Sequence, residues 1–477
     1  MLAGDILKKL RAVVGEDGLH DGLAERIAYS GDGTFQQRLP DAVVHPATTA
    51  QVSDILRIAS QQYLPVVPRG SGTSLAGGPV PVAGGLVLNL ARMNRIIEID
   101  PTTSTATVEA GVINGDLQRA AEAYGLFYPP DPASLAQCTI GGNVACDAGG
   151  PRCLKYGVTK DYVLGMTVAL MDGRILRLGG KLLKNATGYQ LIQLFTGSEG
   201  TLGVVTEVIL RLLPLPRARA TAAALFPRLD AASRAVTGIL SGGLLPATME
   251  LMDRVTLDAV ESSAHLGLPR EAEAMLIIEQ DGFDAESVAK ESEEIGRMCR
   301  EFGAIQVDVA ADAEGRARLW AARRAASGAL GRIRPNKLGE DIVVPRDQIP
   351  EMVRRVGEIA ARHDLVIAVF GHAGDGNLHP NILFDMREPG ALARVERAAA
   401  DILRAALELG GALSGEHGLG TLKREFLRDA LGDDAVDVML DIKRLFDPHN
   451  LLNPGKVFPT RPGADHTGFL TGLSAQG

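Results

Sequence analysis

The sequence predicts an α+β protein built from two successive units, and three observations carry that expectation. From Ala42 to about Arg217, short β-branched runs alternate with helical segments. Pro214 and Pro216, with an Ala/Arg-rich stretch behind them, then interrupt the pattern. Beyond about residue 218, strand-like runs alternate again with long Ala/Arg/Glu helices. With 477 residues, and roughly 150 per domain, the chain has room for about three folding units or two large ones. Its 46% hydrophobic and 22% charged residues are those of a globular protein with an ample core.

Taken in order, residues 1 to about 35 read as an amphipathic helix, with Leu7, Leu10 and Val14 at helical spacing, followed by a polar stretch; this N-terminal helical segment closes at residue 37. The first unit, 38–217, carries the strand-like runs VVHP, LPVVP, LVLNL, TATVEA and VVTEVILRLL, with helices over Gln51 to Gln62 and Gly115 to Tyr124. The second, 218–425, mixes MLIIEQ, DLVIAVF and NILF with long helices and reads as an α/β layer unit. A helix over about Asp434 to Leu445 leads into FDPHNLLNPGKV in a closing segment, 426–460, and the Gly/Thr/Ser-rich tail 461–477 reads as loose.

Charge and hydropathy remove several classes of function. There are 49 Lys+Arg against 58 Asp+Glu, a net charge of -9, and no dense basic run of the kind a nucleic-acid footprint requires. No apolar stretch approaches the ~18 to 20 residues that span a bilayer. Asp5, Lys8 and Lys9 stand where a signal peptide needs its apolar core, so the expected location is cytoplasmic. Cys138, Cys146, Cys153 and Cys299 lack CxxC spacing and read as small buried thiols rather than cluster or zinc ligands.

The 55 glycines are concentrated in a few short loops. RGSGTSLAGG, Arg69 to Gly78, follows the apolar run YLPVVP, and such a stretch lets several backbone N–H groups converge on one anion. It is not a dinucleotide fingerprint, because the sixth position counted from Gly70 is Leu75, and it lacks the Gly-Lys-Ser/Thr of a P-loop. A second run, PPDPASLAQCTIGGNVACDAGG, offers small polar caps and backbone donors at Pro130, Asp131, Ser134, Thr139, Gly141, Gly142, Asn143, Gly149 and Gly150, suited to a large planar cofactor with phosphates. A third, GSEGTLGVVTEV, runs from Gly197 into a strand. Three such loops in one unit are more than turns require.

Three of the nine histidines lie in two further glycine-rich loops, GHAGDGNLHPNI around His372 and His379 and SGEHGLG around His417. Gly371, Gly374 and Gly376 argue against a helix there, and a hairpin between LVIAVF and NILF would bring His372 and His379 together. Glu416 would complete a two-His, one-carboxylate metal set; plain hydrogen-bonding loop residues are the alternative. LWAARRAASGALGRIRPNK supplies cationic groups at Arg323, Arg324 and Lys337 for an anionic substrate, or else a solvated helix face.

With these motifs together, the chain resembles the flavoprotein family named after vanillyl-alcohol oxidase and p-cresol methylhydroxylase over roughly residues 38 to 458. Within it the likeness is to the D-2-hydroxyacid dehydrogenases: the glycolate oxidase flavin subunit, D-lactate dehydrogenase and D-2-hydroxyglutarate dehydrogenase. The resemblance implies a PCMH-type FAD-binding domain of two α+β subdomains over 38–217, a substrate or cap domain carrying a metal site over 218–425, and a C-terminal helical segment returning to the flavin. It implies FAD on Arg69, Gly70, Ser71, Gly72, Thr73, Ser74 and Gly77 of the first loop, on Pro130, Asp131, Ser134, Thr139, Gly141, Gly142, Asn143, Ala145 and Gly150 of the second, and on Glu199, Gly200, Val204, Val205 and Asn453. Relatives with covalent flavin carry a His where this chain has Thr73, so FAD is expected to be noncovalent; a thioether through Cys138 is the alternative.

By the same likeness His372, His379 and Glu416 match divalent-metal ligands, with zinc first and manganese or iron as alternatives, and His417 matches the proton acceptor. Arg323 matches the substrate-carboxylate arginine, Arg324 and Lys337 are helpers, and Asn381 matches a polar residue near the substrate. The 2-hydroxyglutarate enzymes add a Thr four residues after that arginine and a downstream lysine for a second carboxylate. Here Ser327 takes the first place and no lysine near Lys337 is assigned to the second, so the set is incomplete, which favours glycolate or D-lactate over D-2-hydroxyglutarate. The implied reaction is oxidation of the hydroxy acid to the 2-oxo acid with hydride transfer to flavin. Electrons would pass to a non-NAD acceptor: an iron-sulfur partner subunit, an electron-transfer flavoprotein, a quinone or a cytochrome, the first of which would also place the chain peripherally at a membrane. A homodimer is compatible with this reading. A flavin-free metallohydrolase, and a flavin-carrying subunit active only in a complex, are the rival readings.

Overall fold

A computed structural model describes residues 2–460 and Leu470; the expected loose tail, 461–477, otherwise lies outside the described residues. The chain divides into two compact units, one formed by the residues up to Gly149, Val158–Leu215 and the chain from Glu416 onward, the other by Gly150–Gly157 and Pro216–Gly415. Among the described residues no helix is long and apolar enough to cross a membrane.

In the first unit the N-terminal segment is not separate. Its helix, Gly4–Val14, ends at Gly15, and buried Leu10 and Val14 join the same apolar cluster as Val52, Ile55, Leu56 and Ala59 of the helix Thr49–Gln61. The oxygen of Thr48 caps that second helix by accepting from the Gln51 N–H. A four-stranded sheet lies beside it in the order Leu19–His20, Ala42–Val44, Leu86–Asn89, Val66–Arg69, the last three strands parallel. A second layer is a five-stranded antiparallel sheet in the order Ile96–Asp100, Thr105–Glu109, Val204–Arg211, Val163–Ala169, Ile175–Gly179. Its core, around Val108, Ile140, Val168, Phe195 and Val208, also takes in Ile442 and Phe446 of the closing helix Asp433–Phe446. Each glycine-rich loop adjoins a strand or helix end of these layers: the first follows Val66–Arg69, the second runs into Ile140–Cys146, and the third precedes Val204–Arg211.

The second unit is one eight-stranded sheet under helices. The strand order is Gln306–Ala310, Ala218–Phe226, Ala274–Gly282, Thr248–Asp253, Val366–His372, Asn377–Phe384, Asn336–Gly339, with Ile342–Val343 also on Asn377–Phe384. The layering is that expected, but every pairing is antiparallel, so the unit is α+β rather than α/β in the strict sense. Helices Arg254–Ala264 and Ala321–Ile333 pack on one apolar cluster with Met252, Ile277, Ala368 and Leu383.

Two further boundaries differ from the sequence-based expectation. Gly150–Gly157 belongs to the second unit, because Lys155 Nζ donates to the Asp281 carbonyl at 2.8 Å and Tyr156 Oη donates to Asp281 Oδ2 at 2.7 Å. The second unit ends at Gly415 rather than near residue 425. Up to that point the chain is held by Asp341, which accepts from the Gly415 N–H at 2.9 Å; from Leu419 onward its N–H groups bond to Glu199 and Ala76 of the first unit.

Asp253 makes stability pH-dependent. Buried at the N-cap of Arg254–Ala264, it accepts from Thr256 N at 2.9 Å and Thr256 Oγ1 at 2.7 Å. Burial pushes its carboxyl from 3.8 up to about 6, against the lowering effect of those bonds. Between these values the folded state holds a proton that the unfolded state has released, so this group's contribution falls as pH rises through the interval, by about 3 kcal/mol in all. Asp253→Asn keeps the cap and removes the titration. Urea melts from pH 4 to pH 7 are expected to show the variant gaining on the parent as pH rises; a pH-independent difference would refute this assignment.

Candidate active site

The first unit contains a cavity of about 420 Å³ whose wall is built mainly from the three glycine-rich loops. The first loop is fastened at several points: Arg69 Nη1 donates to the Gly31 carbonyl at 2.7 Å, Asn89 Nδ2 to the Gly70 carbonyl at 3.0 Å, and Ser71 Oγ to the Gln137 carbonyl at 2.5 Å. A Cβ on Gly70 would stand 2.2 Å from Thr139 Oγ1, so only glycine lets the first loop lie against the second. Thr139 in turn caps Ile140–Cys146 by accepting from the Gly142 N–H at 3.3 Å.

The third loop organises the far wall. Glu199, buried and in the left-handed region at φ 51, accepts from the Leu419 N–H at 2.7 Å and the Gly420 N–H at 2.8 Å. Those bonds set the loop that carries Glu416 and His417, both on the cavity wall, with His417 Nε2 4.0 Å from Glu416 Oε1. Burial pushes the Glu199 carboxyl up, and the two N–H donors pull it back only in part. Gly420 has φ +51, and a Cβ there would lie 1.9 Å from the Ala76 carbonyl oxygen, so this loop also depends on glycine. The closing segment reaches the same wall: Asn453 Nδ2 donates to the Glu199 carbonyl at 2.8 Å, and Lys456 Nζ to the Val80 carbonyl at 2.6 Å. Burial lowers the Lys456 ammonium to about 7, with Glu199 opposing the shift.

These walls fit FAD. They combine small residues and backbone along two loops with the apolar faces of Leu90, Phe195, Val204 and Val205. The buried Arg69 Nε finds no acceptor among the described residues, as suits a guanidinium facing an anionic ligand. Of the residues expected at the cofactor, Arg69 through Ser74, Ser134, Thr139, Gly141, Gly142, Asn143, Ala145, Glu199, Gly200, Val204, Val205 and Asn453 line the cavity. Gly77, Pro130, Asp131 and Gly150 do not. The Gly77 N–H donates to Asp32 at 2.9 Å, the Pro130 carbonyl is taken by Asn114 and Gln118, and Gly150 belongs to the other unit. Leu90 and Phe195 are wall residues that carry no motif, and Cys146 joins them from within the second run. Cys146 is pushed up to about 12 by burial, and all four cysteines are free thiols.

In the second unit, Val366–His372 and Asn377–Phe384 form the expected hairpin, with His372 opposite Asn377 and His379 opposite Phe370. The two histidines are therefore diagonal neighbours on one face, their rings 5.2 Å apart between centroids and nearly perpendicular at 86°. Glu250 lies opposite His372 on the adjoining strand and is fully buried. It pairs with His372 Nδ1 through one oxygen and accepts from Arg323 Nε at 2.7 Å through the other. Burial alone would raise this carboxyl; His372 and Arg323 outweigh it and bring it to about 2. The Arg323 guanidinium also stacks over Phe370 at 4.5 Å.

Asp341, likewise fully buried, accepts from Asn377 Nδ2 at 2.6 Å and lies 3.8 Å from His379 Nδ1. Asn381 Nδ2 donates to the His379 carbonyl at 2.6 Å. Lys337 Nζ donates to Ser327 Oγ at 2.9 Å, and its ammonium is lowered by burial and by Arg323 nearby. Arg324 is exposed and turns to the Ala317 carbonyl, away from this group. Glu250 and Asp341 are the functional candidates that sequence reading missed: isolated acids without a motif, distinguished only by their burial.

Small residues and backbone gathered on a nucleotide-sized cavity define the first unit as one built to hold a flavin nucleotide. Residues 40–179 match the FAD binding domain, and residues 215–457 match the C-terminal domain of FAD linked oxidases. The chain belongs to the FAD-linked oxidase family and is an FAD-linked oxidoreductase. It is 48% identical to the glycolate oxidase subunit GlcD of Bacillus subtilis, over 96% of this chain and 97% of that protein. It is 34% identical to a D-lactate dehydrogenase of Anaerostipes hadrus, over 93% of each. The fold is that of p-cresol methylhydroxylase with substrate bound, at a TM-score of 0.80 and 18% identity over 95% of this chain and 96% of that one.

Proposed function

We propose that the protein oxidises a D-2-hydroxy acid, glycolate or D-lactate in the first place, to the 2-oxo acid. The observation that carries this reading is the position of His417 and Glu416 on the wall of the cavity that fits FAD. The names of the relatives, a glycolate oxidase subunit and a D-lactate dehydrogenase, support the substrate class.

His417, held by the loop that Glu199 anchors, takes the hydroxyl proton on its imidazole as general base. Arg323, preset by Glu250 and Phe370, grips the substrate carboxylate. FAD, when bound, supplies the acceptor for the hydride leaving the α-carbon. His372, His379 and Glu416 would hold a divalent metal, zinc first, with manganese and iron as alternatives; two imidazoles and a carboxylate are a fitting donor set, and the metal would supply Lewis acidity at the hydroxyl. Chain connectivity favours Glu416 as the third ligand. It directly follows Gly415, whose N–H is bonded to Asp341, the neighbour of His379.

A second reading has its own observation. The bond from Lys337 to Ser327, beside Arg323, assembles the three residues that would take a second carboxylate, which favours D-2-hydroxyglutarate. Electrons leave by a non-NAD acceptor; the name of the Bacillus relative, a subunit, favours a partner protein.

The test is an anaerobic visible spectrum of the flavin-loaded protein titrated with glycolate, D-lactate, D-2-hydroxyglutarate and the L-isomers, before and after chelation. Bleaching of the flavin band by a D-acid, lost on chelation and restored by zinc or manganese, is the expected result. Bleaching that survives complete metal removal refutes the metal's role, and a band that no hydroxy acid bleaches refutes the substrate class.

A further inference from the structure

We infer that Glu250 and Asp341 are positioning residues that orient the two histidines, and that Glu250 couples the ligand His372 to the substrate anchor Arg323. The inference rests on the reading of His372 and His379 as metal ligands.

Its basis is the pairing of each histidine with a fully buried carboxylate. Glu250 is hydrogen-bonded to His372 Nδ1, and Asp341 stands 3.8 Å from His379 Nδ1, where it acts on that ring by charge and through the bonds that hold its surroundings rather than by a hydrogen bond to it. The bond from Glu250 selects the tautomer of His372 protonated at Nδ1 and leaves its Nε2 lone pair for a metal. Two buried anions within one hairpin neighbourhood are costly unless each is fully engaged, and both are. Glu250 uses one oxygen on His372 and the other on Arg323, at 2.7 Å. Asp341 accepts from Asn377 at 2.6 Å and from the Gly415 N–H at 2.9 Å, the residue before Glu416. Glu250 therefore sets the ring that would hold the metal and the guanidinium that would meet the substrate carboxylate, and so sets their spacing. An amide cannot replace this carboxylate, because a glutamine side chain would offer one acceptor oxygen where two donors point.

The experiment measures zinc affinity by chelator competition on the FAD-loaded protein, together with steady-state kinetics, for wild type, Glu250→Gln, Glu250→Asp, Asp341→Asn and Arg323→Ala. Glu250→Gln and Asp341→Asn are expected to weaken zinc about 10- to 100-fold. Glu250→Gln should also raise KM, whereas Arg323→Ala should raise KM with zinc affinity unchanged. A purely structural ion pair would lower stability and leave zinc affinity where it was, which overturns the inference while the proposed function stands. A wild type that binds no zinc, manganese or iron overturns the metal's role and this inference with it, leaves the substrate class to the flavin titration, and is recognised before any variant is compared. Should Glu250→Gln not fold, Glu250→Asp, which keeps the charge but cannot reach both partners, is read by the same zinc assay. The zinc-loaded wild type is in addition expected to show His372 protonated at Nδ1 by ¹⁵N NMR, and an Nε2-protonated His372 overturns the inference.

Discussion

His417→Ala is expected to slow oxidation of the hydroxy acid by about 10²- to 10⁴-fold, the usual contribution of a positioned general base. The imidazole lines the cavity, on a loop whose backbone is fixed by two bonds to the Glu199 carboxylate. Alanine leaves those bonds in place, because both donors are main-chain N–H groups, so the flavin content and thermal stability of the variant should be those of the parent. The base acts only as the hydroxyl proton leaves. The loss should therefore fall on kcat and kcat/KM alike, with substrate affinity little changed. Rapid-mixing measurement of flavin reduction by the best D-acid separates this from product release. A variant that reduces its flavin at the parent rate would place the base elsewhere.

Lys443→Met should cost about 3 to 5 kcal/mol of stability, because it leaves a buried carboxylate without its counter-charge. The Lys443 ammonium, buried under the closing helix, pairs with Asp447 and donates to the Thr201 carbonyl at 2.8 Å and the Leu452 carbonyl at 2.9 Å. Asp447 is itself buried and accepts from the N–H groups of Leu451 at 3.0 Å and Leu452 at 2.7 Å. Thr201 belongs to the third glycine-rich loop, and Leu452 precedes Asn453 on the cavity wall. The same substitution is thus expected to release FAD at lower denaturant concentration. Lys290→Met, which breaks an ion pair to Glu286 between side chains 74% and 77% exposed, is the control and should cost at most about 1 kcal/mol. Urea melts followed by flavin fluorescence compare the two, and equal costs would mean that the Lys443 knot is not structural.

How far the site could be read in advance depended on whether its chemistry is local in the chain. The first and third glycine loops were legible because close approach of backbone to a ligand excludes side chains, and that exclusion is visible as Gly and Ser in a row. His372 and His379 were legible because a glycine-rich turn between two apolar runs makes a hairpin, and a hairpin makes them neighbours. Pro130, Gly77 and Gly150 looked equally suitable, yet their backbone groups serve other partners or another unit. Arg323 and Arg324 were indistinguishable by type, and the phase of the helix Ala321–Ile333 separated them: one meets Glu250, the other faces outward.

By itself the sequence determined the α+β layering, the glycine-rich loops that together indicate the class of cofactor, and the hairpin that makes His372 and His379 neighbours, since each loop or hairpin is a local pattern of residue types. Tertiary structure alone decided that Gly150–Gly157 joins the second unit, that the chain returns to the first at Glu416, and that two unremarkable acids became the buried partners of the site. The physical reason is distance along the chain. Glu250 meets Arg323 across 73 residues and His372 across 122, and a carboxylate's burial and charge depend on partners that only the folded sheet brings to it.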